Sequence, residues 1–293
     1  MKVIRTVTTL RAGLADAPRP VALVPTMGAL HEGHLELVRH ARARSATVVV
    51  SIFVNPAQFA AGEDLGAYPR NERRDAELAR EAGADLVFAP GVEEVYPPGF
   101  DTTIEVAGLT GDLEGDQGRR GPEHFRGVAT MVAKLFNMIG PDVAVFGQKD
   151  AQQALVVRKL VHDLDFPVEI EVLPTVRDDD GLALSSRNVY LSAGEREQAL
   201  ALSRGLRAAE ARVDAGELAA ERVVAAARAE LDAAGVAPDY LELRSAEDLS
   251  PAARVNGATL LCVAARVGRA RLIDNVVLRA PAEPVPAFTR SSP

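Results

Sequence analysis

The chain has 293 residues, a formal net charge of −8 at pH 7, and 47% hydrophobic side chains against 25% charged ones. That balance is ordinary for a globular protein able to bury one large core or two smaller ones, while an isoelectric point near 5.3 speaks against a general nucleic-acid surface and no apolar run approaches the roughly 20 residues that span a bilayer. The single cysteine, Cys262, excludes an internal disulfide, and Met1-Lys2-Val3-Ile4-Arg5 lacks the apolar core of a signal peptide, so a cytoplasmic protein is expected.

Over residues 1–175, short β-branched runs alternate with helical patterns. Strands are predicted at 21–24, 47–54, 85–89, 142–146 and 168–173, and helices at 34–44, 72–82, 125–139 and 151–164. Near-continuous apolar strands between helices predict a parallel sheet covered on both faces, with its functional loops gathered along one edge. The character changes after 184–188. Residues 193–236 are rich in Ala, Glu and Arg and predict two helices around Ala215-Gly216. Strands follow at 240–244, 259–267 and 272–278, the last two joined as a hairpin through Gly268-Arg269-Ala270. The expected architecture is α/β, with a parallel-sheet domain over 1–175, a smaller α+β domain over 176–293, and a frayed tail from Ala280.

Pro25-Thr26-Met27-Gly28-Ala29-Leu30-His31-Glu32-Gly33-His34 lies between the first predicted strand and the first predicted helix. Two imidazoles three residues apart share one face there. They point where helix N–H groups and the positive dipole end favour an anion, and Gly28 and Gly33 let the backbone approach it closely. The pattern suits the phosphates of a nucleotide under attack. An ordinary helix N-terminus and a zinc site are the competing readings, although His-Glu-x-x-His is missing and Cys262 is far away.

Further along, Asn55-Pro56-Ala57-Gln58-Phe59 follows the second strand. Gln58 and Gln153 offer neutral amides suited to a small hydroxylated acid, or are surface residues. Tyr68 and Asp75 carry the same two readings, His124 and Arg126 stand before an apolar helix, and His40 and His162 read as helix-surface residues. The stretch 108–121 holds five glycines but matches neither Gly-x-Gly-x-x-Gly nor a Walker loop, which leaves a solvated loop or a mobile flap. Phe146-Gly147-Gln148-Lys149-Asp150 ends a strand and opens a helix. Lys149, one of only four lysines, is a compact cation for phosphate oxygens, or an exposed residue of a capped helix start. Ser185-Ser186-Arg187 supplies two hydroxyls and a guanidinium for outer phosphates, or a simple N-cap.

These segments, in this order, resemble the pantoate–β-alanine ligases of the nucleotidyltransferase superfamily. The matching residues are Pro25 to His34, Ser51 to Phe59, Tyr68-Pro69-Arg70, His124-Phe125-Arg126-Gly127-Val128, Phe146 to Gln153, Leu184 to Asn188 and Asp239 to Leu243, nearly the whole length. The resemblance implies a Rossmann-like N-terminal domain with a smaller C-terminal lid, a cytoplasmic homodimer, and use of ATP with Mg2+. The implied reaction condenses (R)-pantoate with β-alanine through a pantoyl adenylate, releasing pyrophosphate and then AMP. It implies no membrane or nucleic-acid partner. Residue by residue, it implies that Met27, Gly28, Ala29, Leu30, His31, Glu32, Gly33 and His34 line the ATP site, with His34 the active-site histidine. Gly147, Gln148, Lys149, Asp150, Val176, Leu184, Ser185, Ser186 and Arg187 would complete it, with Lys149 on phosphate, Asp150 towards the ribose and Val176 at adenine. Gln58 and Gln153 would hold pantoate, and Gln58 also β-alanine. Two places depart from the pattern: Arg119-Arg120 stands one residue out of step before His124, and Arg73 and Arg74 replace acids beside Asp75. A nucleotidyl-transferring relative and a non-catalytic nucleotide-binding module are the rival functions.

Overall fold

The computed structural model describes residues 1–59, 65–116 and 120–280. Strand β1 (Lys2–Ile4) leads into α1 (Val7–Leu14), β2 (Val21–Thr26) into α2 (Glu32–Arg44), β3 (Thr47–Ile52) into α3 (Glu72–Glu81), and β4 (Leu86–Phe88) into a single turn, α4 (Val92–Val95). Helix α5 (Pro122–Ile139), β5 (Val143–Gly147), α6 (Ala151–Asp163) and β6 (Glu169–Leu173) complete this part. All pairings in the six-stranded sheet are parallel, in the order β1-β4-β3-β2-β5-β6.

Side-chain alternation builds the layers. Val21, Leu23, Val49, Phe88, Ala144 and Phe146 enter a core shared with α1, α5 and α6. Their neighbours Ala22, Val24, Val48, Val50, Val87 and Val145 enter a second core with α2 and α3. Both faces are therefore covered, as continuous apolar strands require. The order reverses between β2 and β5. Loops leaving the carboxyl ends of those two strands diverge to opposite sides and open a crevice, the usual ligand position in such sheets.

The five predicted strands of this part all form, within two residues at either end. The short edge strand β1 and α1 carried too little apolar pattern to be read beforehand. Helix α2 starts at Glu32 rather than at 34, which places His31 as its N-cap and His34 inside the first turn. The remainder is α7 (Ala193–Asp214), α8 (Ala220–Ala233) and an antiparallel sheet β7 (Pro238–Ser245), β8 (Ala258–Val267) and β9 (Ala270–Arg279). Gly205 lets α7 and α8 close together, since a Cβ there would stand 2.9 Å from the Ala227 carbonyl oxygen. The small sheet is buried on both faces: Leu241, Leu243, Leu261, Val263 and Ala265 pack on α7 and α8. Tyr240, Leu260, Cys262 and Ala264 join the N-terminal core. The expected tail beyond Ala280 falls outside the described residues.

Candidate active site

A cleft opens at the carboxyl ends of β2 and β5. Among its lining residues are Met27, His31, Gly33, His34, Gln58, Gly147, Lys149, Asp150, Gln153, Val176, Leu184, Ser185, Ser186 and Arg187. Segments scattered over 160 positions of sequence thus meet on one crevice. Gly28, Ala29, Leu30, Glu32 and Gln148 do not line it.

The placement of those five has physical causes. Gly28 N–H donates to Thr26 Oγ1 at 3.2 Å. Ala29 N–H and Leu30 N–H donate to the two oxygens of Asp75, at 2.9 and 2.8 Å. Ala29 sits at φ 51°, a left-handed conformation that a non-glycine residue holds only when its surroundings impose it. Asp75, 3% exposed, is the residue that imposes it. The carboxylate also sits where Gly28 is needed, because a Cβ there would lie 2.9 Å from Asp75 Oδ2. Asp75 therefore shapes the histidine loop from beneath. Glu32 turns outward to Arg39, and Gln148 Nε2 donates to Asn275 Oδ1 at 3.0 Å.

The two imidazoles lie against each other, ring centroids 4.1 Å apart. Gly33 makes room for them, since a Cβ there would be 3.0 Å from the His31 ring. His31 N–H donates to His34 Nδ1 at 3.4 Å, which leaves the proton of a neutral His34 on Nε2. Burial first, then the charge of Lys149, holds the His31 pKa down at about 4. Burial, then His31 and Lys149, holds His34 well below its ordinary value. Near neutral pH both rings are thus uncharged in the free protein, and they offer N–H groups rather than net charge. Among the described residues, no three His, Cys, Asp or Glu side chains converge as a metal-ion cage would require.

On the same cleft, Lys149 Nζ lies 3.9 Å from Asp150 Oδ2. Ser185 Oγ accepts from Arg187 N–H at 3.2 Å and starts the 3-10 turn Ser186–Tyr190. Val176 O accepts from Leu184 N–H at 3.0 Å, tying the adenine candidate to this arm. Tyr68, buried, reaches it across the cleft, with its hydroxyl 3.4 Å from Ser186 Oγ.

Gln58 has a built support as well. Asn55 caps the turn Pro56–Gln58, and its Nδ2 donates to Gln58 Oε1 at 3.1 Å. Gln58 Nε2 is 3.0 Å from Met27 Sδ. Gly127 lets α5 press against this turn, for a Cβ would come within 2.2 Å of Ala57 O. His124 Nδ1 donates to Gln58 O at 2.7 Å, so its Nε2 accepts from Arg120 NH1 at 3.1 Å. His124 is buried and positional, whereas Arg126 is a surface residue paired with Glu105 and Glu123.

Sequence reasoning left Arg120 unassigned, and it lines the cleft; Arg119 lies outside the described residues. Thr175 was missed altogether. It lines the cleft, and its Oγ1, like His31 Nδ1, is buried with no hydrogen-bond partner among the described residues. Nothing in the local sequence marks it. Over its described part, the stretch 108–121 is anchored in the interior rather than solvated throughout. Leu109, Thr110, Leu113 and Glu114 are buried. Gln152 Nε2 donates to Leu109 O and Asp112 O, both at 2.8 Å, and Glu114 holds Arg271 with two bonds of 2.5 and 2.8 Å.

Comparison with known proteins adds an independent line. The profile of the pantoate-beta-alanine ligase family matches residues 2–277. A pantothenate synthetase of Roseiflexus castenholzii is 51% identical over 281 residues, covering 96% of this chain and all of the relative. One from Nocardia farcinica is 55% identical, over 90% of this chain and 81% of its own. The crystal structure of pantothenate synthetase from Thermus thermophilus is similar with a TM-score of 0.91 and 48% identity, covering 95% of this chain and 100% of that one. A pantoate-beta-alanine ligase from Francisella tularensis, complexed with beta-gamma ATP and beta-alanine, is similar with a TM-score of 0.78 and 30% identity, covering 94% and 97%.

Proposed function

The chain belongs to the pantoate–β-alanine ligase family, and from that premise we propose how its cleft carries out the ATP-dependent joining of the two substrates. ATP lies across the crevice, adenine at the backbone of Val176, ribose towards Asp150, and triphosphate between the histidine loop and the cations Lys149 and Arg187. Pantoate is held by the amides of Gln58 and Gln153, with Gln58 also facing β-alanine. The observation that carries this reading is the convergence of two N–H-bearing imidazoles, Lys149 and the neutral amides of Gln58 and Gln153 on one cleft.

A pantoate carboxylate oxygen attacks the α-phosphorus, and the bond to pyrophosphate breaks. A carboxylate needs no general base for this, so the residues orient and stabilise charge. His34 and His31 donate to the oxygens where charge grows, and Lys149 and Arg187 neutralise the departing pyrophosphate. The amine of β-alanine then attacks the acyl carbon, AMP leaves, and AMP or water takes the proton released.

Magnesium fits as a companion of the triphosphate, since Mg2+ is usually held by substrate phosphates and water with few protein ligands. Asp150 is the carboxylate on the cleft wall, and Asp75 is already committed to two backbone N–H groups. When bound, the ion would supply charge neutralisation at the outer phosphates.

The boundary of 1–175 and 176–293 is proposed on the position of the 174–176 linker, which follows β6 and lines the cleft. A cytoplasmic homodimer is proposed on the family resemblance; no described helix is long and apolar enough to cross a membrane.

Incubation with ATP, pantoate and β-alanine tests the reading. Pantoate alone should support exchange of pyrophosphate into ATP, and AMP release should require the amine. Release of ADP, or an adenylated product that never becomes an amide, would overturn it.

A further inference from the structure

Two adjacent residues of β9 lie behind the cleft and touch both of its cationic arms. Asn275, 5% exposed, commits its entire side-chain amide to the Lys149 turn. Its Nδ2 donates to the carbonyls of Gln148 and Lys149, each at 2.9 Å, and its Oδ1 accepts from Gln148 Nε2 at 3.0 Å. The opposite amide orientation would set an oxygen against two carbonyl oxygens, so the network fixes the assignment. Asn275 N–H donates to Asp274 Oδ1 at 2.8 Å. Asp274, 4% exposed, grips Arg177 through bonds of 2.6 and 2.9 Å. Arg177 follows Val176, reaches Gly181 O at 3.3 Å and pairs with Ala183 as an isolated bridge. The segment that carries Leu184 to Arg187 therefore starts from the same two residues of β9.

We propose that Asn275 is a positioning residue for Lys149, and that with Asp274 it keeps both phosphate-binding arms in register. Asn275 touches no atom of the Lys149 ammonium. It fixes the root of that side chain, which matters because lysine is a compact charge on a flexible four-carbon stem. A misplacement of about 1 Å from a distant change can cost on the order of 100-fold in rate. This rests on the reading that Lys149 serves the phosphates.

The test is a double-mutant cycle on pantoate-dependent pyrophosphate exchange, with KM for pantoate and ATP and the thermal midpoint measured for each variant. Asn275→Ala should lower the exchange kcat by about 10- to 100-fold while leaving the pantoate KM within about twofold. Lys149→Ala should lower it by about 100-fold or more. The double variant should be no more than about threefold worse than Lys149→Ala alone, because Asn275 acts through that residue. Asn275→Asp keeps the shape and removes both donors, so it should repeat the Ala result and carries the test if the Ala protein folds poorly. Losses that multiply in the double variant, or an Asn275→Asp enzyme within about twofold of the parent, would overturn the proposal. Near-normal exchange in Lys149→Ala would instead remove Lys149 from the mechanism, so the two failures are distinct.

Discussion

The histidine loop and the Ser185-Ser186-Arg187 arm face the same cleft, but they are built in opposite ways. The loop is locked: Asp75 takes two of its amides, Gly28 and Gly33 remove the side chains that would collide, and α2 begins on His31. The arm rests on a short 3-10 turn and on polar contacts with neighbours, notably Tyr68 at 3.4 Å from Ser186 and Asp274 on Arg177. A group that stabilises a transition state works best when its geometry is set in advance. A group that closes over the outer phosphates must yield to admit them. The difference in construction fits the difference between the tasks proposed for them.

That contrast can be broken by mutation, and the largest effect should come from the locked side. His34→Ala removes the N–H proposed to meet the α-phosphate and should cut pyrophosphate exchange by about 100- to 1,000-fold with little change in pantoate binding. Equal losses in rate and pantoate affinity would instead make His34 a general binding residue. Asp75→Ala lies off the cleft wall, yet it strands one buried amide, at about 1–3 kcal/mol, and one part-buried amide, and frees Ala29 from its left-handed conformation. We expect a lower thermal midpoint together with at least roughly a tenfold loss of exchange activity. A destabilised but fully active Asp75→Ala enzyme would show that the loop does not need its lock.

On the arm, Ser186→Ala deletes one contact of 3.4 Å and one candidate phosphate ligand, so kcat should fall by less than about tenfold, with ATP KM bearing most of the change. A loss as large as that of His34→Ala would erase the distinction between the arms. The smallest effect is on pH dependence. His31 titrates near 4 when folded and near its ordinary 6.5 when unfolded, so between those values the unfolded chain binds the extra proton. The stability associated with neutral His31 is therefore present above about 6.5 and is lost as pH falls towards 4. The midpoint of a His31→Asn variant should decline less steeply with acid over that window; a parallel decline would place the titration elsewhere.

Much of this was legible beforehand, for reasons that are local. Near-continuous apolar runs such as Thr47–Ile52 announce a buried parallel strand, and paired imidazoles at a helix start point to a candidate anion site within about ten residues. What stayed hidden depends on folding. Asp75 is 46 positions from Ala29, and Asn275 is 126 from Lys149, so neither carries a local sign of its role. The glycines of 108–121 drew attention from Leu109 and Leu113, which anchor that segment in the core. His124 was legible only as a residue before an apolar helix, and its bond to the Gln58 carbonyl depends on a contact 66 positions away.

The central claim is that both arms act while a pantoate carboxylate attacks the α-phosphorus of ATP. Pantoate labelled with 18O in its carboxylate tests it directly when the AMP from a complete turnover is analysed by mass. One labelled oxygen should pass into AMP. Unlabelled AMP, with the isotope in inorganic phosphate or pyrophosphate, would contradict the claim and place the attack on a different phosphorus.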